Sequence, residues 1–299
     1  MNNILPGMKV GVVHPQLYPQ VMNGEGPVVE TAAAVVAEPN IKAIEVTHVR
    51  DEVARARLKL LLTSSGMKVI FNALPVMLKN GWNIDSADAS AREEAMAGMK
   101  GLLEEARFLG AKLFVVMSGA DTGADGRTAA RARLVSSLQI LCDEAGRMGM
   151  AVTLMPFDRE VDKKRLVGPV SEAVDIAKQV KRENFGLSLN LAHILLNKEN
   201  PGDAVSAARH FLLHAVVSNC VLAEGSPVRG DQHPCFGTEG SLAGLEQVTE
   251  FIRALEKGGF FKKVGAGWVS IEVRPREEEY SAAVLAGGLR MLAEAVEKL

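Results

Sequence analysis

The sequence predicts an α/β fold, a single (β/α)8 TIM barrel occupying residues 1–299 as one domain. Three observations predict it. Eight short apolar runs recur along the chain, and a stretch with helical periodicity follows each. Most of these runs are apolar almost throughout, as parallel strands covered on both faces require. The rival, a doubly wound open sheet, lacks a GxGxxG after its first strand.

The strand candidates follow in order: MKVGVVHP from Met8, KAIEVTHV from Lys42, MKVIFNAL from Met67 and AKLFVVMSG from Ala111. They continue with MAVTLMPFD from Met150, FGLSLNLAH from Phe185, FLLHAVVSN from Phe211 and GWVSIEVRP from Gly267. Between them, Ser90 followed by Glu93 reads as a capping box that opens a helix running to Phe108. Leu134, Leu138, Leu141, Ala145 and Met148 form a stripe at helical spacing, as do Leu245, Val248, Ile252 and Leu255. The pairs Leu109-Gly110 and Met148-Gly149 end helices just before strands, with glycine as the C-terminal cap. No proline-rich or low-complexity linker divides the chain.

A chain of 299 residues with 47% hydrophobic residues buries a large core. Lys+Arg 34 against Asp+Glu 36 gives a formal charge of −2, so no global positive field attracts nucleic acid or an anionic membrane. The start MNNILPGMKV shows neither the basic residues nor the apolar run of a secretory signal, and no stretch approaches a membrane span. Cys142, Cys220 and Cys235 are odd in number and widely spaced, which fits a reducing compartment. The expectation is a cytoplasmic protein with a small-molecule ligand, no nucleic-acid partner and no membrane. Homo-oligomers are left open.

In a barrel, the active site lies at the C-terminal ends of the strands, and polar residues collect there. His14 ends the first strand, and Glu45 and His48 lie on or after the second. Ser118 and Asp121 follow the fourth, and Asp158 and Arg159 the fifth. Asn190 and His193 end the sixth, His214 lies in the seventh, and Glu272 and Arg274 end the eighth. Of the six histidines only His210 is expected in a helix, so five are assigned to one rim. After the seventh strand comes Gly230-Asp231-Gln232-His233-Pro234-Cys235-Phe236-Gly237, a glycine-punctuated loop with the composition of a metal or substrate site. The run DREVDKKR from Asp158 reads as a solvated loop, with Arg159 its one residue facing the mouth.

The segments LMPFDREVDKKRLVGP, LSLNLAHILL, LLHAVVSNCVL, GDQHPCFGTEG and VSIEVRP resemble the xylose-isomerase-like barrel superfamily. That superfamily includes the sugar phosphate isomerases/epimerases and, more distantly, the endonuclease IV group. The resemblance implies a divalent cation held by Glu, Asp, His and Glu on strands five to eight, with carboxylates moving a proton beside a carbonyl. Glu272 matches the last of these ligands, while Met155, Asn190 and Val216 stand at the other three positions. Asn190 offers a carbonyl oxygen without charge, and a hard cation gains little from a thioether. Asp231 and His233 match an Asp-x-His that binds zinc in the endonuclease group. Glu45, His193 or His214 would complete that site only if the fold brings them within reach.

What the resemblance implies is therefore a sugar isomerase or epimerase with an altered or absent metal site. Glu272, His193 and His214 are its candidate acid–base groups, and His14, Glu45, Asn190, Arg159 and Arg274 its candidate substrate contacts. Glu272, Asp231 and His233 are the candidate ligands for Mn²⁺, Mg²⁺ or Zn²⁺, and no organic cofactor is expected. A lyase or dehydratase of a sugar-acid derivative, and a non-catalytic ligand-binding or partner subunit on the same barrel, remain open as alternatives.

Overall fold

The structure, a computed structural model, describes residues 5–299. Among them the strands β1 (Lys9–Val13), β2 (Ala43–Val46), β3 (Lys68–Asn72) and β4 (Leu113–Val116) are followed by β5 (Ala151–Leu154), β6 (Phe185–Asn190), β7 (Leu212–Ser218) and β8 (Trp268–Glu272). They pair in chain order, all parallel, and β8 closes onto β1 with Val10 beside Val269 and Val12 beside Ile271. Each of the eight apolar runs supplies one strand. Both faces are covered, which is why residues such as Ile44, Val115 and Val152 are fully buried whichever way they point.

The outer layer follows the helical stripes. The helix Gly123–Arg147 buries Leu134, Leu138, Leu141 and Ala145, and the helix Leu245–Lys257 buries Val248, Ile252 and Leu255. Each such Leu, Ile or Val side chain contributes about 1.5–3 kcal/mol. Met148 caps the first of these helices, and Gly149 follows at φ +69°. Gly110, at φ +84°, ends the helix Ala89–Leu109 as expected.

Two local expectations are corrected. The cap of the helix Ala89–Leu109 is Asp88 rather than Ser90. Asp88 has the extended backbone of a cap, and its Oδ1 accepts from the N–H groups of Ser90 at 2.9 Å and Ala91 at 3.2 Å. His210 lies in the turn after the helix Pro201–Ala208, because that helix ends two residues earlier. No helix of the described residues is long and apolar enough to cross a membrane.

The barrel interior carries a polar layer beneath the mouth. His214 and Glu45 are both fully buried and meet at 3.2 Å, Nε2 to Oε1. Nδ1 of His214 lies 3.1 Å from the Ser188 hydroxyl, and its Nε2 lies 2.9 Å from that of Ser270. Asn72 donates to the other Glu45 oxygen at 3.2 Å. One layer higher, Ser218 is level with Glu272 on the neighbouring strand.

Candidate metal centre and active site

The stretch between β7 and the helix Leu245–Lys257 is pinned before it reaches the mouth. Gly230 donates its N–H to Val221 at 2.7 Å, and Arg274 donates its own to the carbonyl of His233 at 2.8 Å. Gly230 sits at φ +89°, where a Cβ would lie 2.8 Å from Cβ of Asp162, so this close approach needs glycine. Across that contact Asp162 accepts from the N–H of Asp231 at 2.9 Å and from the amide of Gln232 at 3.2 Å. Asp162 is itself held by the run that looked solvated. The fully buried Asp158 accepts from the N–H groups of Val161, Asp162 and Lys163 at 2.7–2.9 Å. Such satisfaction is what a buried carboxylate requires.

These contacts aim Asp231 and His233 into the barrel, where His193 arrives from the short helix Leu191–Leu196 that follows β6, not from the strand end itself. Oδ1 of Asp231 lies 2.9 Å from Nε2 of His193 and 3.3 Å from Nε2 of His233. All three residues are buried, and their three atoms lie within 4.8 Å of one another. Oε1 of Glu272 is 3.5 Å from Nε2 of His233. Ligand atoms around a tetrahedral zinc stand roughly 3.3 Å apart, so the spacing fits a small cation.

The tautomers fit as well. Nδ1–H of His193 donates to the carbonyl of Pro156 at 2.9 Å, which leaves Nε2 as the atom facing Asp231. A neutral ring then presents a lone pair to a carboxylate oxygen, an arrangement that needs a proton or a cation between them. A backbone carbonyl on the far nitrogen is the usual way a metal-binding histidine is oriented. The ring of Phe157 stacks on His193 with centroids 4.1 Å apart and fixes its plane. His233 is held at φ +50°, a left-handed conformation uncommon for a residue with a Cβ.

Charge follows from burial. Burial alone would raise the Asp231 carboxyl, but His193 and then His233 outweigh it and hold it far below the usual carboxylate range. Burial lowers the His233 imidazole to about 4, against the pull of Asp231. Burial, then the charges of Asp231 and Glu45, push Glu272 well above its ordinary value. Neutral His233 and anionic Asp231 are the forms that bind a divalent cation.

The mouth is a cavity of about 180 Å³ that includes Glu272, Asp231, His233 and His193 together with Lys163 and Arg274. Met155, Phe157 and Leu74 form its apolar wall. Gln16, also on the wall, hydrogen-bonds Glu272.

A family profile of the xylose isomerase-like TIM barrel matches residues 33–294. The chain belongs to that family. Among curated proteins, none matches it by sequence. Among solved structures, L-ribulose 3-epimerase aligns with TM-score 0.76 at 14% identity, over 97% of this chain and 95% of that one. The IOLI protein with a bound zinc atom aligns with TM-score 0.75 at 17% identity, over 97% and 99%. D-psicose 3-epimerase with D-tagatose, from Clostridium cellulolyticum H10, aligns with TM-score 0.68 at 18% identity, over 97% and 98%. At these identities the likeness is one of fold.

Within this xylose isomerase-like barrel, the residues expected at the rim divide into those at the mouth and those elsewhere. Glu272, Asp231, His233, His193, Arg274 and Met155 line the cavity. Asn190, expected as a substrate contact, is buried and does not line the cavity, and its oxygen is fully engaged. Its Nδ2 donates to Glu272 at 2.6 Å, and its Oδ1 accepts from the Ala192 N–H and the Ser218 hydroxyl. Val216, expected at the strand-seven position, is fully buried beside Asn190 on one side and Ser270 on the other, while Ser218 is the β7 residue level with Glu272. His214 and Glu45 lie in the polar layer below, beyond reach of the cavity.

Other rim candidates point away from the mouth. His14 is buried against the Thr31 hydroxyl at 2.8 Å, and burial lowers its imidazole to about 4. Arg159 faces Glu172 and the carbonyls of Arg165 and Leu166, on the side of the loop away from the mouth. Asp121 is paired with Arg127, and Ser118 accepts the Val167 N–H. His48 lies in a separate groove, bonded to Glu105. Lys163, Gln16 and Phe157 were not singled out in the sequence. For Lys163 the one available signal was its place four residues past the Asp158-Arg159 pair that follows β5.

Proposed function

We propose that this chain is a metal-assisted isomerase or epimerase of a small sugar or related polyhydroxy-keto compound, working by proton transfer at a carbon beside a carbonyl. The observation that carries the reading is the juxtaposition of His193, Asp231 and His233 with Glu272 in one buried mouth. His193, Asp231 and His233 would hold the cation, so the metal centre shifts from the strand ends to the loop after β7. When bound, the cation supplies a Lewis acid for a substrate carbonyl or hydroxyl.

The chain's own groups do the rest. Asn190 fixes Oε2 of Glu272, which leaves Oε1 toward the cavity to take or return a proton. Lys163 and Arg274 donate to substrate oxygens, and Lys163 is held by Asp162 at 2.9 Å. Met155, Phe157 and Leu74 keep water from the reacting carbon. His214 acts from below, holding Glu45 in the layer beneath Glu272.

Two measurements test this reading. Protein grown with Zn²⁺, Mn²⁺ and Mg²⁺ is assayed by elemental mass spectrometry, with near one metal per chain expected and lost in Asp231→Ala. A panel of keto-sugars in D₂O is then followed for deuterium at the carbon beside the carbonyl, with incorporation expected in the native chain and abolished in Glu272→Gln. Loaded protein that exchanges no proton with any keto-sugar sinks the enzymatic reading. A binding protein is the second reading, favoured by the thioether of Met155 and the fully engaged Asn190 at two family ligand positions.

A further inference from the structure

Beside the mouth runs a second groove of about 370 Å³, bounded by the segment after β2, the helix Leu74–Asn80 and the helix Ala89–Leu109. Met22 and Pro75 line both spaces, so the groove and the mouth share a wall. The indole of Trp82 faces the groove together with His48, Arg50, Arg55 and Lys79.

Glu105 is the one acid lining it, and its carboxylate is already engaged. One oxygen accepts from the Val49 N–H at 2.8 Å and the other from Nδ1–H of His48 at 2.5 Å, while Arg55 stands off at 3.9 Å. That bond leaves Nε2 of His48 as its free nitrogen. Arg50 is tied only to Glu25 in an exposed pair, which water screens and a stronger anion displaces. Lys79 has no ion pair among the described residues. Arg50, Arg55 and Lys79 against Glu105 and the Glu25 paired with Arg50 leave a surplus of one positive charge, which favours an anion such as a phosphate monoester.

The helix Ala89–Leu109 shapes one side of the groove. Gly98 and Gly101 both line it, and a glycine inside a helix costs about 1 kcal/mol relative to alanine. Gly98 is accounted for, because a Cβ there would stand 2.2 Å from the Trp82 ring. Gly101 has nothing within 4 Å of where its Cβ would be. Gly101 is exposed, so the groove is open to solvent there.

We propose that this groove binds the phosphate end of the substrate, a phosphate monoester of a small sugar whose reacting carbons lie in the mouth. The guanidinium of Arg55 and the ammonium of Lys79 take the phosphate oxygens, and the sugar passes Met22 and Pro75 toward Glu272. The assignment of the mouth end rests on the functional reading above, whereas anion binding by the groove does not.

The test uses the full chain and titration calorimetry with inorganic phosphate, D-fructose and D-fructose 6-phosphate. Inorganic phosphate binds the native chain, weakens by about tenfold or more in Arg55→Ala/Lys79→Ala, and is unchanged in Glu272→Gln. Gly101→Leu, which adds a side chain to the exposed lining of the groove without touching the core, weakens phosphate to a similar degree. D-fructose 6-phosphate binds about tenfold tighter than either of the other two, an advantage removed by the double variant. No phosphate binding in the native chain, or binding undiminished in both groove variants, overturns the site. Phosphate binding in the groove with no added affinity for D-fructose 6-phosphate overturns the link to the mouth and makes this a site for a free anion. Failure of deuterium exchange would leave the inorganic phosphate result standing.

Discussion

Asn190 donates its Nδ2–H to Oε2 of Glu272 at 2.6 Å, with both side chains buried. An amide at this position lets Glu272 sit close to a neighbour without a second negative charge. Replacing it by a carboxylate would bring two acids into a contact that only a shared proton or a cation can stabilise. Asn190→Asp is therefore expected to cost about 2–4 kcal/mol at pH 8 in the presence of a chelator, a fall in Tm of roughly 5–10 °C. Mn²⁺ or a shift to pH 5 should restore most of it. Equal melting of the two proteins at pH 8 in chelator would show that the Asn190–Glu272 bond does not form.

The cluster of His193, Asp231 and His233 makes a second expectation. A cation that binds only the folded chain stabilises it by about 4 kcal/mol at a thousandfold excess over Kd, or roughly 10 °C in Tm. Chelation should lower the Tm of the native protein by that order. Asp231→Ala and His233→Ala should melt at one temperature with or without Zn²⁺. A zinc-dependent rise in both variants would move the metal elsewhere.

What was legible in the sequence depends on how local its cause is. Strands such as MKVGVVHP and AKLFVVMSG declare themselves because a barrel strand is apolar on both faces, and Glu272 stands out as a carboxylate ending one of them. The Asp231/His233 pair is legible from the composition of one short loop, whereas its third member stayed open among Glu45, His193 and His214. His193 lies 38 residues before Asp231, and only closure of the barrel brings it to 2.9 Å. Register across strands was not legible either: Val216 lies level with Asn190, whereas Ser218 is level with Glu272, a stagger that only pairing of β7 with both neighbours reveals. The run from Asp158 misled most. Charge runs are mostly solvated, whereas Asp158 is buried through bonds to backbone N–H groups that composition does not reveal.

Away from the mouth, Asp85 makes the stability of the fold depend on pH. Burial raises its carboxyl to about 6, against the Gly119 N–H at 2.6 Å and the charges of Arg133 and Arg165, and its Oδ2 has no hydrogen-bond partner. The unfolded chain loses this proton near pH 4, while the folded chain keeps it until about pH 6. Folded protein thus binds more protons across that window, and stability falls as pH rises from 4 to 6, then stays flat. The cost is on the order of 2–3 kcal/mol above pH 6. Asp85→Asn keeps the acceptor for Gly119, so it should remove the slope between pH 4 and 6 and raise Tm at pH 8. Urea unfolding at pH 4.5, 5.5 and 7.5 checks this, and an unchanged slope in the variant would assign it to other groups.

Gly98 and Gly101 lie one turn apart on the same helix and should respond to alanine with opposite signs. At Gly101 a methyl meets nothing within 4 Å, so only the gain in helix propensity remains. Gly101→Ala is expected to stabilise by about 0.5–1 kcal/mol. At Gly98 the same propensity gain is offset by a Cβ 2.2 Å from Cη2 of Trp82, and the rigid indole must lift off the helix. Displacing a packed ring costs about 1–3 kcal/mol, so Gly98→Ala should be a net loss. Because the protein has two tryptophans, Trp82 and Trp268, the indole's movement is readable as a red shift in emission confined to the Gly98 variant. Equal stability changes at the two sites, with no spectral shift, would mean that Trp82 does not rest on Gly98 and that this wall of the groove is open.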